Sequence, residues 1–251
     1  MNGARSLLAT LVGAGVDVCF ANPGTSEMHF VAALDDVREM RGVLTLFEGV
    51  ATGAADGYAR VAGRPAATLL HLGPGLGNGL ANLHNARRAR TPVVNIVGDH
   101  ATYHARYDAP LESDIAAIAR PVLGWYRVAA RADDVAADAA DAVAAACGPP
   151  GCVATLVLPA DSSWNETAGG PCPPRPLGVR ANVPAETVDG VAKALRSGER
   201  AALLLGGSAL RARGLRAASR VAVTAGAALL GETFPAYLER GAGVPAVDRL
   251  G

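Results

Sequence analysis

The strongest constraint on this chain is a rhythm. Short apolar runs, Val16–Phe20, Val43–Phe47, Ala66–Leu70, Val93–Val97 and Val153–Leu158, alternate with helix-like segments at about 3–14, 26–38, 49–62, 77–89, 112–119 and 132–146. Apolar runs of this length read as strands buried on both faces. Strands regularly separated by helices give a parallel sheet, because a parallel neighbour needs a crossover connection. The expectation is an α/β fold: a doubly wound parallel sheet with helices on both faces. Half the residues are hydrophobic but only 4% are aromatic. Small aliphatic side chains suit close helix-on-sheet layers.

The rhythm breaks at 162–184. Gly169-Gly170-Pro171-Cys172-Pro173-Pro174-Arg175-Pro176 has too many prolines for a helix or an inner strand. The predicted organisation is a first domain over 1–165, a linker over 166–184 and a second α/β domain over 185–251. That second domain reads as a helix at about 185–197, a strand at Ala201–Leu205, a helix at about 209–225, a strand at Ala227–Leu230 and a loop-like end. Two βα units are few for an open sheet, so the second domain is expected to be incomplete.

Charge excludes some partners. The formal net charge is zero, Lys193 is the only lysine, and the arginines are scattered. Nothing forms the basic stripe that nucleic acid requires, and Arg87-Arg88 with Arg90 reads as a solvated helix end. The four cysteines form no C-x-x-C pair, and Cys19 reads as a core residue. The absence of a charged leader and of a membrane-length apolar run makes a cytoplasmic protein, without membrane partners, the expectation.

In open α/β sheets ligands collect at the carboxyl ends of strands, and three ends here carry unusual residues. The first is Asn22-Pro23-Gly24-Thr25-Ser26-Glu27, where Thr25 or Ser26 can cap the next helix or touch a ligand. The second is Glu48-Gly49-Val50-Ala51-Thr52-Gly53-Ala54-Ala55-Asp56-Gly57. A carboxylate after a buried strand is costly unless partnered. The Gly/Ala helix behind it leaves room for something flat, although interaction with the helix amino terminus explains the position equally well. The third is His71-Leu72-Gly73-Pro74-Gly75-Leu76-Gly77-Asn78-Gly79, read as a glycine-rich loop that lets a ligand approach the backbone. It matches no G-x-G-x-x-G register, and the chain contains no P-loop.

Glu48 through Arg60, Gly73-Pro74-Gly75 with Asn78, and Ala86 through Val94 together resemble one family. It is the thiamine-diphosphate enzymes of the acetolactate synthase and benzoylformate decarboxylase type, in their pyrimidine-binding domain. The resemblance runs in order over about 1–165, and Glu232-Thr233-Phe234-Pro235 is similar to the start of that family's central domain. It implies that Glu48 hydrogen-bonds the cofactor's aminopyrimidine and promotes loss of the thiazolium C2 proton. Gly73, Pro74, Gly75 and Asn78 would line the cofactor. Thr25 and His71 fall where the benzoylformate decarboxylase branch carries a serine and a histidine that handle the substrate carboxylate and proton transfers. The implied substrate is a 2-keto acid, undergoing decarboxylation or carboligation.

The sequence also departs from the family pattern. Asp99-His100 stands where a glutamine often follows the glycine, and Pro159-Ala160-Asp161 replaces Pro-Lys-Asp. Gly-Asp-Gly, which marks the family's Mg²⁺-dependent diphosphate site, is absent. No metal ligands are assigned here; His100 and His104 are too few for a site. Mg²⁺ is expected on a missing domain or a partner subunit, in an oligomer. An intact FAD site is not expected. Two alternatives stand beside the enzyme reading: a non-catalytic truncated homologue or partner subunit, and a nucleotide- or flavin-binding module.

Overall fold

The computed structural model describes residues 1–179 and 181–250. Arg180, inside the expected linker, and Gly251, at the end of the expected second domain, lie outside the described residues. The chain divides into two compact units, Met1–Gly178 and Val179–Gly251.

The first unit is one parallel six-stranded sheet. Its strands are β1 (Val18–Asn22), β2 (Arg41–Leu44), β3 (Ala66–Leu70), β4 (Val93–Asp99), β5 (Trp125–Val128) and β6 (Val153–Pro159), in the order β2-β1-β3-β4-β6-β5. Its helices are α1 (Gly3–Gly13), α2 (Met28–Ala33), α3 (Glu48–Ala62), α4 (Leu72–Ala89), α5 (Ile115–Ala119), α6 (Val135–Cys147) and α7 (Ala160–Trp164). The doubly wound expectation holds. On one face α1, α2 and α6 bring Leu7, Leu11, Phe30 and Val143 against Leu69, Ile96 and Leu156. On the other, α3, α4 and α5 bring Ala55, Leu76, Leu83 and Ile115 against Leu70, Val97 and Val157. Neighbours such as Leu69 and Leu70 therefore enter opposite cores, which is why the inner strands read as unbroken apolar runs. Cys19 is a fully buried core residue, and burial pushes its thiol up to about 12.

The inner strands are less uniform than they read. Thr68, Asn95 and Thr155 sit opposite one another on β3, β4 and β6, all completely buried. Thr68 Oγ1 donates to Asn95 Oδ1 at 2.8 Å, and Asn95 Nδ2 donates to Thr155 Oγ1 at 3.1 Å. A one-residue slip of any strand would strand these polar groups in the apolar core, so the row pins the register.

The edges differ from expectation. The run 43–47 was expected to be a buried strand, but β2 spans Arg41–Leu44 at the sheet edge, and Leu44 and Leu46 are exposed. An edge strand has one neighbour, so an apolar run there does not require burial. The strand β5 and the short helix α7 have no counterpart in the sequence reading. Arg127 interrupts the apolar character of β5, pairing with Asp138 and Asp141 at 2.7 and 2.8 Å. No helix among the described residues is long and apolar enough to cross a membrane.

The second unit contains α8 (Ala185–Leu195), β7 (Ala202–Leu205), α9 (Ala212–Ala225), β8 (Ala228–Gly231) and β9 (Asp248–Arg249). The three strands form a parallel sheet in the order β7-β8-β9. The stretch expected to end as a loop thus returns to pair with β8. Leu210, Leu215 and Val247 are the buried residues of its core.

Candidate active site

The order in which strands are added reverses between β1 and β3, because β2 lies outside β1 and all later strands lie on the other side. Such a switch point opens a crevice at the strands' carboxyl ends. Asn22–Glu27 leaves β1 there, and His71 leaves β3. Glu48 opens α3, and β4 ends at Asp99.

Glu48 is buried, at 6% exposure, as the first residue of α3. The strand β2 ends at Leu44, and Thr45 still donates its N–H to Ala21 O at 2.8 Å. Glu48 thus follows an edge strand and a three-residue connection, not a buried strand as expected. The helix amino terminus favours a carboxylate there. Asn78 Nδ2 donates to Glu48 Oε2 at 3.0 Å. Beside the other oxygen lies Gly75, where a Cβ would come within 2.9 Å of Glu48 Oε1.

The expected glycine-rich loop is instead the first turn of α4, which begins at Leu72 with His71 as its N-cap. Composition suggests a loop, but Pro74 falls in a turn whose N–H groups have no intrahelical acceptor, so its missing donor costs little. Leu72 is the strained point: its φ of 55° lies in the left-handed region although the side chain is buried. Gly73 faces away from Glu48, and a Cβ there would overlap Ser113. Gly75 and Asn78 contact Glu48; Pro74 is exposed.

The helices α3 and α4 meet through small residues. Asn82 Nδ2 donates to Gly49 O at 2.7 Å, and Thr52 Oγ1 donates to Gly79 O at 3.0 Å. An open groove of about 710 Å³ runs along this pair, lined by Phe47, Gly49, Val50, Gly53, Asn78 and Asn82. Its walls are mostly apolar, with amide groups at one side.

His71 is partnered by Glu27, a residue of the turn after β1 to which the sequence reading assigns no role. Its Nδ1 lies 2.8 Å from Glu27 Oε2. The same oxygen accepts the Gly24 N–H at 2.7 Å. The expected cap from Thr25 or Ser26 is absent; Glu27 reaches back to Gly24 instead. Thr25 is exposed and lines a second pocket of about 420 Å³ with Ser26, His100, His104 and Trp164. The sequence offered one hint to Glu27, a glutamate three residues after the glycine of the turn that follows β1.

Asp99 completes the strand ends. Burial pushes its carboxyl up, the His100 N–H at 2.8 Å opposes this, and the charges of Glu112 and Glu27 add to it. No group of three or more His, Cys, Asp or Glu among the described residues could hold a metal ion.

Comparison with known proteins decides the family. Residues 1–120 match the model of the thiamine pyrophosphate enzyme N-terminal TPP binding domain. The chain's first 120 residues belong to the thiamine pyrophosphate enzyme family. A Mycobacterium tuberculosis relative named "Putative acetolactate synthase large subunit IlvX" is 65% identical over 252 residues, covering 100% of this chain and 48% of its own length. A benzoylformate decarboxylase of Pseudomonas aeruginosa is 33% identical over 179 residues, covering 71% of this chain and 32% of its own length. The solved structure of a "putative thiamin diphosphate-dependent enzyme" from Mycobacterium smegmatis superposes with a TM-score of 0.84 at 30% identity, over 94% of this chain and 45% of that one. The chain thus spans about half the length of the first relative and a third of the second. The TPP-domain match covers Thr25, Glu48, His71 and Asn78.

Proposed function

We propose that this chain provides the cofactor-activating side of a thiamine-diphosphate-dependent, acetolactate synthase-like enzyme. The reaction is decarboxylation or carboligation of a 2-keto acid. The observation that carries the reading is the setting of Glu48, a buried carboxyl with one oxygen held by Asn78 and the other beside a glycine.

The residues present fit the group. A flat aminopyrimidine needs an apolar slot with a fixed polar contact; the α3–α4 groove offers mostly small apolar walls with Asn78 in its lining, and Asn78 is the residue that holds Glu48. Thiamine diphosphate, when bound, supplies an electron sink that stabilises a carbanion. Glu48 would hold a proton between its Oε1 and a ring nitrogen, while Asn78 fixes the carboxyl's orientation. His71 and Thr25 would handle the substrate carboxylate and its protons. Gly75 keeps space open at Glu48, Pro74 shapes the first turn of α4, and Gly73 lets that turn pack on Ser113. The similarity to acetolactate synthase and benzoylformate decarboxylase supports the 2-keto-acid class.

We assign 1–165 as the pyrimidine-binding domain, 166–184 as the linker and 185–251 as part of a central domain. The diphosphate and Mg²⁺ would be held by a further domain or subunit, within a cytoplasmic oligomer. The test combines this chain with its diphosphate-binding counterpart, thiamine diphosphate and Mg²⁺, and follows CO₂ release from pyruvate and benzoylformate. Release from either acid is expected. A formed complex that releases CO₂ from neither, nor from related 2-keto acids, would overturn the reading.

A further inference from the structure

Glu27 is the most deeply buried carboxylate at the strand ends, at 2% exposure. Leaving a carboxylate there without partners would be strongly unfavourable. Helix capping alone does not explain this burial, since a capping glutamate satisfies its backbone partner equally well at the surface.

Two glycines make room for the pair. A Cβ at Gly98 on β4 would lie 1.7 Å from Glu27 Oε1, and a Cβ at Gly24 would lie 2.3 Å from the His71 ring. The carboxylate is thus seated against the β4 backbone and the imidazole against the turn after β1. All hydrogen bonding to Glu27 falls on Oε2; Oε1 is buried without a partner among the described residues. On the imidazole, Nδ1 meets Glu27 and Nε2 has no hydrogen-bond partner among the described residues. The His71 side chain is 23% exposed, so the ring is not sealed in the core.

We propose that Glu27 is the positioning residue of His71: it accepts the Nδ1–H and leaves Nε2 as the unprotonated nitrogen available to substrate. An imidazole free in water favours the opposite tautomer, with the proton on Nε2. A ring fixed by a carboxylate at Nδ1 is a base at Nε2, and which nitrogen reacts is set by the hydrogen bond the other makes. The catalytic consequence rests on the proposed function; the placement of the proton does not.

The test is ¹⁵N NMR of the full chain labelled at histidine, recorded where His71 is neutral, with its signals assigned by their loss in His71→Asn. The expected wild-type spectrum has protonated-type Nδ1 and unprotonated-type Nε2. In Glu27→Ala, and in Gly98→Ala, which displaces the carboxylate while keeping every titratable group, the two shift types exchange. A helix-capping role alone would leave the tautomer unmoved. An Nε2–H wild-type ring, or an Nδ1–H ring that survives Glu27→Ala, would overturn the proposal whatever the CO₂ assay gives. In the assembled enzyme, Glu27→Ala should lower kcat more than it raises KM. It should also add little to His71→Ala, because the two residues act as one unit.

Discussion

The two units are built from the same parts, parallel strands joined through helices, yet they bury them differently. In Met1–Gly178, β3 and β6 are buried along their whole length and helices cover both faces of the sheet. In Val179–Gly251, the amphipathic helix α8 contributes no buried residue, and Val188 and Val191 are each 53% exposed. The strand β7 alternates between exposed and half-buried positions. Hydrophobic period therefore fixes the type of an element but not its burial, which depends on what the chain brings against it. A sheet covered on both faces can hold strained and polar features such as Leu72 and Glu27 at its strand ends, because the surrounding core restrains them. Among its described residues the second unit has no comparable core, with Leu210, Leu215 and Val247 as its buried cluster.

The contrast is most easily broken by deletion of apolar bulk. Ile96→Ala removes a completely buried side chain between the layers and should cost about 2–5 kcal/mol. Val191→Ala should stay within about 0.5 kcal/mol. Denaturant unfolding followed by a probe in each unit checks both. Comparable losses would mean that α8 is packed far more tightly than its exposure indicates.

A smaller effect sharpens the contrast within the first unit. Asn95→Leu leaves the hydroxyls of Thr68 and Thr155 without their shared partner, at a cost of roughly 1–3 kcal/mol. If the row pins the register, amide exchange should accelerate along β3, β4 and β6 together. Acceleration confined to β4 would show that the row adds local stability alone.

The smallest effect lies at the end of β4. Burial raises the Asp99 carboxyl, so ionisation costs the folded state. Its contribution to stability is complete below the unfolded value and is lost as pH rises through the folded one. Asp99→Asn, which cannot ionise, should therefore raise Tm at pH 7 by on the order of 2 °C. The gain should fade as pH drops through about 4 and vanish well below it, where the carboxyl is neutral in the folded and unfolded chain alike. Thermal melts at the two pH values decide it.

Much of this was legible in the sequence. The inner strands and the helices between them could be read because burial on both faces leaves few polar interruptions. The pattern misleads where burial stops, as at β2, and where one charged residue changes its character, as Arg127 does in β5. Gly73-Pro74-Gly75 reads as a loop because glycine and proline break helices, yet a first turn tolerates both. Glu48 stood out through the motifs around it and its place at the start of a helix, although the buried strand read directly before it is an edge strand that ends at Leu44. Glu27 was not, because its partner His71 lies 44 residues away and local spacing does not report contacts made across a sheet.

The central claim is that Glu48 activates the cofactor, and hydrogen–deuterium exchange at C2 of thiamine diphosphate tests it most directly. In the enzyme completed by its diphosphate-binding counterpart, exchange should be fast with the wild-type chain. With Glu48→Gln, bound cofactor should lose that acceleration by at least about 100-fold, the range of a general acid–base contribution. Wild-type exchange rates in Glu48→Gln, with cofactor binding intact, would contradict the account.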